Sequence, residues 1–247
     1  MIRIEDQGDG VRTILFDRPD SPHNFMNQEV VERLHSTVRD LAADDTVKGV
    51  VMASAKKSFL VGGDLKELQA LKTPSDAAAI IEGVQTCMRD IELAPKPFVA
   101  AINGLALGGG LEIALSCTYR IAADDPRLKL GLPEVSLGLI PGAGGTQRLP
   151  RLVGLAAALP IMVEDRQVTA AKALEMGLVD EIVPKADILA SAKDRILSGA
   201  ALADQPWDRK GFVLPGPAPQ SKEGQEVLDG MWAKIRRKKP GLEPAPE

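Results

Sequence analysis

The feature that most restricts what this chain can fold into is a recurring triplet: a very short apolar strand, a glycine-containing loop and a helix. Residues 11–16 (VRTILF) read as a strand closed by the turn-rich RPDSPHNFMN. Residues 28–42 follow with Val31, Leu34, Val38 and Leu41 at helical spacing. The pattern returns at 48–54 (KGVVMAS), with a helix expected over 64–71. It returns again with a helix around 75–92, a strand at 98–102 (FVAAI) and an apolar helix entered through glycines at 104–110. A fourth strand is expected at 119–123. Strands this short, each followed by its own helix, point to an α/β chain built from stacked ββα-like turns and argue against one long sandwich.

A short helix over 169–176, capped by Thr169 and ended by Gly177, precedes an apolar LVDEIV edge segment. From 203 to 224 the chain becomes rich in Pro and Gly, and a last helix is expected over 225–239. The expected division is therefore a core at 1–202 and, at 203–247, a crossing segment with a C-terminal helix.

With 247 residues, 45% hydrophobic and 26% charged, the chain can bury a sizeable core. A net charge of −4 and 3% aromatic content exclude both an overall basic field and a base-stacking platform, so no nucleic-acid partner is expected. Cys87 and Cys117 sit in apolar stretches without CxxC spacing, which fits buried reduced thiols and gives neither a disulfide framework nor a metal site. No apolar run has the length of a signal peptide or a membrane span, so a cytoplasmic location is expected.

Three places could carry chemistry. GLALGGGLE (104–112) brings a strand exit and several glycines to a helix start, where backbone N–H groups such as that of Gly109 can approach a developing negative charge. The same residues also make a plain packing turn, and GxxxGGG is not the GxGxxG of a dinucleotide site. FLVGGDLKEL (59–68) is a second amide-rich corner, whose other reading is a helix start capped by Asp64. Glu112 stands among Leu111, Ile113, Ala114 and Leu115, neighbours that would strip water from its carboxyl and suit it to proton transfer. Glu134 follows Pro133 and reads equally well as a first-turn acid. Two carboxyls, one to accept and one to donate a proton, are what adding water to a polarised double bond requires.

Four ordered blocks, FLVGGDLKEL, AAINGLALGGGLEIALSCTYRIAA, LGLPEVSLGLIPGAGGTQRLPRLVG and AAKALEMGLVDEIVP, together resemble the crotonase (enoyl-CoA hydratase/isomerase) family over about residues 11–184. The resemblance implies a crotonase-like spiral of ββα units with a helical C-terminal region, and hydration of a trans-2-enoyl-CoA in fatty-acid β-oxidation. It implies Glu112 and Glu134 as the catalytic carboxyls and the amides of Gly63 and Gly109 as an oxyanion hole. It further implies a CoA thioester held by Phe25 and Met26 near the adenine, by Lys56 and Lys57 at the phosphates, and by Val61, Asp64 and Leu65 along the pantetheine. No metal or other cofactor is implied, and assembly as a trimer or paired trimers is. Position 63 is Gly where the family often has Ala. His23 and His35 match no catalytic motif.

The stretch QPWDRKGFVLPG, the helix after it and RRKKPGLEPAPE resemble the join in multifunctional fatty-acid oxidation enzymes, where a 3-hydroxyacyl-CoA dehydrogenase region follows the hydratase. That region is absent from this sequence, and no GxGxxG follows a strand, so no NAD site is expected. Two other functions stay open at this point: Δ3-Δ2-enoyl-CoA isomerisation and acyl-CoA binding without turnover.

Overall fold

The computed structural model describes residues 1–238. Its framework is a six-stranded sheet: β1 (Ile2–Asp6), β2 (Val11–Phe16), β3 (Gly49–Ser54), then β5 (Phe98–Ile102), β7 (Tyr119–Ala123) and β9 (Glu181–Val183), in that spatial order. β1 runs antiparallel to β2, and the remaining pairs are parallel. The central strands are apolar throughout because parallel strands covered on both faces have no solvent side to alternate towards; Phe98 to Ile102 is buried at every position.

A second sheet is made from fragments: β4 (Leu60–Val61), β6 (Ala106–Leu107) and β8 (Leu130–Gly131), all parallel, in the order β4-β6-β8. The strands of the two sheets alternate along the chain, so β3 leads to β4, β5 to β6 and β7 to β8. Each turn of the chain thus contributes one strand to the large sheet and one to the small sheet before a helix returns it. This is the ββα spiral expected from the repeating triplet.

The helices cover both sheets. α1 (Gln28–Ala43) is capped by the Asn27 side chain on the Val30 amide and buries Val30, Leu34, Val38 and Leu41. α2 (Leu65–Ala70) buries nothing, and Asp64 caps it by accepting from the Lys66 amide at 2.9 Å. α3 (Pro74–Glu92) starts on a reciprocal capping box between Thr73 and Asp76, packs on α1 and buries Val84, Met88 and Ile91. α4 (Gly109–Ser116) is buried at every position, which is why its sequence is apolar all round.

α5 (Gly145–Val153) and α6 (Leu155–Val163) each contain an internal proline, Pro150 and Pro160; α7 (Ala170–Glu175), capped by Thr169, and α8 (Ile188–Leu197) follow. After α8 only a 3-10 turn at Pro206–Asp208 interrupts the chain before α9 (Lys222–Lys238). Lys239 and the end of RRKKPGLEPAPE lie outside the described residues. Gln205 is fully buried and donates to the Ser116 carbonyl at 2.7 Å, while Asp208 accepts from Arg89 of α3 at 3.0 Å. Cys87 and Cys117 are free and buried, and burial pushes both thiols up to about 12. Among the described residues no helix is long and apolar enough to cross a membrane.

Candidate active site

Each strand of the small sheet ends, at its carboxyl edge, in one part of the site. Val61, Leu107 and Gly131 stand level in the parallel ladder. β4 is followed by Gly62 and Gly63, β6 by Gly108 and Gly109, and β8 by Leu132, Pro133 and Glu134. Level strands therefore deliver two glycine corners and a carboxylic acid to one edge, the usual place for a ligand in parallel α/β sheets. The loop through Asn24 and Met26 lies beside β4 as a further extended strand: Val61 donates to Asn24 O at 2.9 Å, Met26 to Gly62 O at 2.9 Å and Asp64 to Met26 O at 2.7 Å.

The corners approach one another closely. Gly108 has φ 54° and ψ −129°, a conformation that a side chain resists, and a Cβ there would stand 2.8 Å from Glu134 Oε1 and 3.4 Å from the Gly62 Cα. A Cβ on Gly109 would overlap the Met26 methyl, and one on Gly110 would overlap the Leu60 carbonyl of β4. These glycines are packing requirements that also leave main-chain amides uncovered. Gly109 is the first residue of α4, so its N–H has no helical acceptor. Among the described residues the amides of Gly63 and Gly109 bond to no protein acceptor.

Glu112, one turn into α4, is 2% exposed. Its Oε1 accepts from the Gly145 amide at 2.8 Å. Loss of water pushes its pKa up to about 7; the Gly145 amide opposes that rise, Glu134 adds to it, and the Ala143 amide and Arg148 oppose it again. Glu134 sits in a 3-10 turn, Pro133–Leu137, closed by Gly138 in the left-handed region. Burial raises its pKa first, its own backbone amide opposes, and Asp165 raises it further. One edge thus gathers two unengaged amides and two carboxyls with raised proton affinity, a set able to polarise a carbonyl while one acid accepts a proton and the other gives one.

The other sequence-derived residues divide into groups. Phe25, Met26, Val61, Asp64 and Leu65 follow the same edge, with Arg18 stacked 3.9 Å over the Phe25 ring and Leu65 49% exposed. Lys56 pairs with Asp17 at 3.1 Å. Lys57 lies at the opposite edge of the small sheet, lining a recess of about 150 Å³ with His23, Asp125 and Arg127. Asn24 is committed inward, donating to Phe16 O at 3.0 Å and to Ser54 at 2.8 Å. His23 meets the Ser58 hydroxyl and His35 meets Asp90. Among the described residues no group of three His, Cys, Asp or Glu side chains could hold a metal ion.

Sequence reasoning did not single out Gly145, which supplies the hydrogen bond to Glu112, nor Arg148. The buried Arg148 guanidinium holds Glu92 at 2.7 Å and 3.1 Å and donates to the Ala143 carbonyl at 2.8 Å, bracing the loop that carries Gly145. The glycines of GAGGTQR were the available signal, but nothing in their spacing gives the donor its acceptor.

Comparison with known proteins places this geometry. Residues 6–206 match the family described as enoyl-CoA hydratase/isomerase. The chain is 38% identical over 243 residues to the fatty acid oxidation complex subunit alpha of Shewanella halifaxensis (strain HAW-EB4), covering 96% of this chain and 34% of the relative. It is 40% identical over 196 residues to the protein of that description from Shewanella sp. (strain ANA-3), covering 79% and 28%. The chain thus spans about a third of the length of the curated relatives it matches. Among solved structures, an enoyl-CoA hydratase from Bacillus anthracis superposes with TM-score 0.78 at 30% identity over 96% of this chain and 92% of that one. Pseudomonas aeruginosa DspI superposes with TM-score 0.76 at 25% identity over 98% and 96%.

Proposed function

The chain belongs to the enoyl-CoA hydratase/isomerase family, and from that premise we propose that it hydrates a trans-2-enoyl-CoA to the 3-hydroxyacyl-CoA in fatty-acid β-oxidation. The observation that carries the reading is the meeting of Glu112 and Glu134, both with raised proton affinity, at the edge where the Gly63 and Gly109 amides are unengaged.

In this mechanism the two amides donate to the thioester oxygen and stabilise the negative charge that gathers there as water attacks, each worth about 3 kcal/mol. Glu112, with its pKa at about 7, is close to half ionised at neutral pH. It takes a proton from water as the oxygen bonds to C3. The double-bond electrons move towards the thioester oxygen, and their return to C2 takes the proton of Glu134, leaving one carboxyl protonated and one ionised as before. The pantetheine follows Val61, Asp64 and Leu65, the adenine lies by Phe25 and Met26, and Lys56 serves the phosphates; Lys57, at the opposite edge of the small sheet, is left out of this path. Coenzyme A enters only as the carrier of the acyl group, with no other cofactor. Residues 1–202 form the hydratase core in this reading and 203–247 a segment laid along it, in a cytoplasmic trimer or pair of trimers.

The test is hydration of crotonyl-CoA by Glu112→Gln and Glu134→Gln chains. Each loses about 10²- to 10⁴-fold in kcat while retaining the fold. Wild-type turnover in either folded variant would end the assignment, and a 3-enoyl-CoA offered as substrate measures any isomerase share.

A further inference from the structure

Glu92, the last residue of α3, has a carboxylate that the mechanism does not use. Its side chain is 3% exposed and holds two cations. Oε1 accepts from Arg148 Nε at 2.7 Å, while Oε2 accepts from Arg148 Nη2 at 3.1 Å and from Arg89 Nη1 at 2.9 Å. A buried ion pair of this kind seldom stabilises a fold more than apolar side chains in its place would. What it does fix is direction. A guanidinium is planar with its N–H groups at set angles, so engaging Nε and Nη2 together on one carboxylate also sets where Nη1 points.

Arg148 Nη1 points at the loop beside Glu112. It donates to the Ala143 carbonyl at 2.8 Å and lies so close to Gly144, at φ +105°, that a Cβ there would overlap it. The next residue, Gly145, gives its amide to Glu112 Oε1 at 2.8 Å. Gln85, earlier on α3, donates to the Gly142 carbonyl at 2.7 Å. One helix thus grips this loop twice, directly through Gln85 and through Arg148 by way of Glu92.

We propose that Glu92 and Arg148 are positioning residues for Glu112: their bidentate fork fixes the turn at 143–145 and so keeps the Gly145 amide on the Glu112 carboxyl. The catalytic consequence rests on the hydratase reading, in which Glu112 takes a proton from water. A carboxyl with one oxygen anchored on a main-chain amide presents the other in a set direction, and misplacement by about 1 Å can cost about 10²-fold in rate. Among the described residues the charged groups paired with Glu92 are Arg89 of its own helix and Arg148 of α5, with Asp208 behind Arg89. Those acting on Glu112 are Glu134 and Arg148.

Three variants of the full chain test the fork. Glu92→Gln removes the carboxylate charge, and Arg148→Lys keeps the cation without its fork. Glu92→Met combined with Arg148→Met leaves no unpaired ion inside, and so carries the test should Glu92→Gln not fold. The readouts are the ¹H–¹⁵N signal of the Gly145 amide against pH, and kcat and KM on crotonyl-CoA over the same range. In wild type the Gly145 signal follows the titration of Glu112 at about pH 7. In the variants it ceases to follow, and kcat falls about 10- to 100-fold with KM within about threefold. In Glu92→Gln the acid limb of kcat moves to higher pH as the amide that favours ionised Glu112 is lost; direct loss of the Glu92 charge would move it the other way. A Gly145 signal that follows Glu112 as in wild type, in folded Glu92→Gln or in the paired variant, overturns the proposal. So does wild-type kcat in Arg148→Lys, since a cation alone would then suffice. Hydration at the wild-type rate by Glu112→Gln overturns the hydratase roles instead, and the Gly145 signal still decides for or against the fork.

Discussion

The two glycine corners offer the same group, an unengaged main-chain amide, from opposite kinds of surroundings. The Gly109 corner opens a helix buried at every position and pressed so closely on β4 that a methyl group on Gly110 has no room. The Gly63 corner opens α2, which buries no residue, and a Cβ on Gly63 would meet only the Met26 carbonyl, at 3.8 Å. One amide and the nearby Glu112 carboxyl are fixed by the core. The other donor depends on the strand-like pairing of Met26 with Gly62 and Asp64. A tightly packed corner and an open one thus follow different strands of one small sheet.

The largest effect expected from this contrast is Gly110→Ala, which forces α4 away from β4 and costs about 3 kcal/mol or more, read in urea denaturation. A Gly110→Ala chain as stable as wild type would break the contrast outright. Next comes the pH dependence of stability at Glu112. Its folded pKa, about 7, lies above its ordinary 4.5. The stabilisation this gives is full below pH 4.5 and is lost as pH rises through 7, by roughly 3 kcal/mol in all. Glu112→Gln should therefore match wild type in melting temperature near pH 4.5 and exceed it by several degrees at pH 8; parallel pH curves would show that Glu112 is not held by a dry, fixed corner. The smallest effect is at Gly63, whose φ lies outside the left-handed region. Gly63→Ala should gain about 0.4–1 kcal/mol by restricting the unfolded chain and leave kcat/KM on crotonyl-CoA within about twofold.

The large sheet was legible in the sequence where burial on both faces makes a strand a continuous apolar run. The expected limits of 11–16, 98–102 and 119–123 are those of β2, β5 and β7. β1 was not foreseen, because IRIED is an edge strand carrying charge along its length. β4, β6 and β8 could not be foreseen at all: two residues have no periodicity, and such strands exist only because neighbours stand level with them. α5 and α6 were hidden by Pro150 and Pro160, which read as breakers but stand within helices. The same limit applies at the site. The apolar setting of Glu112 was visible along the chain, whereas its approach to Glu134 is a property of the small sheet.

Gln205 and Asp208 have a consequence for how this polypeptide could be divided. By composition the chain changes character near residue 203, and a cut at that point looks harmless on paper. It would remove the donor that engages the Ser116 carbonyl at the end of α4 and the acid that engages Arg89 at the end of α3. An excised piece therefore needs to run through Asp208 to retain both braces, and what reads in composition as a tether is mechanically the last support of the helix that carries Glu112.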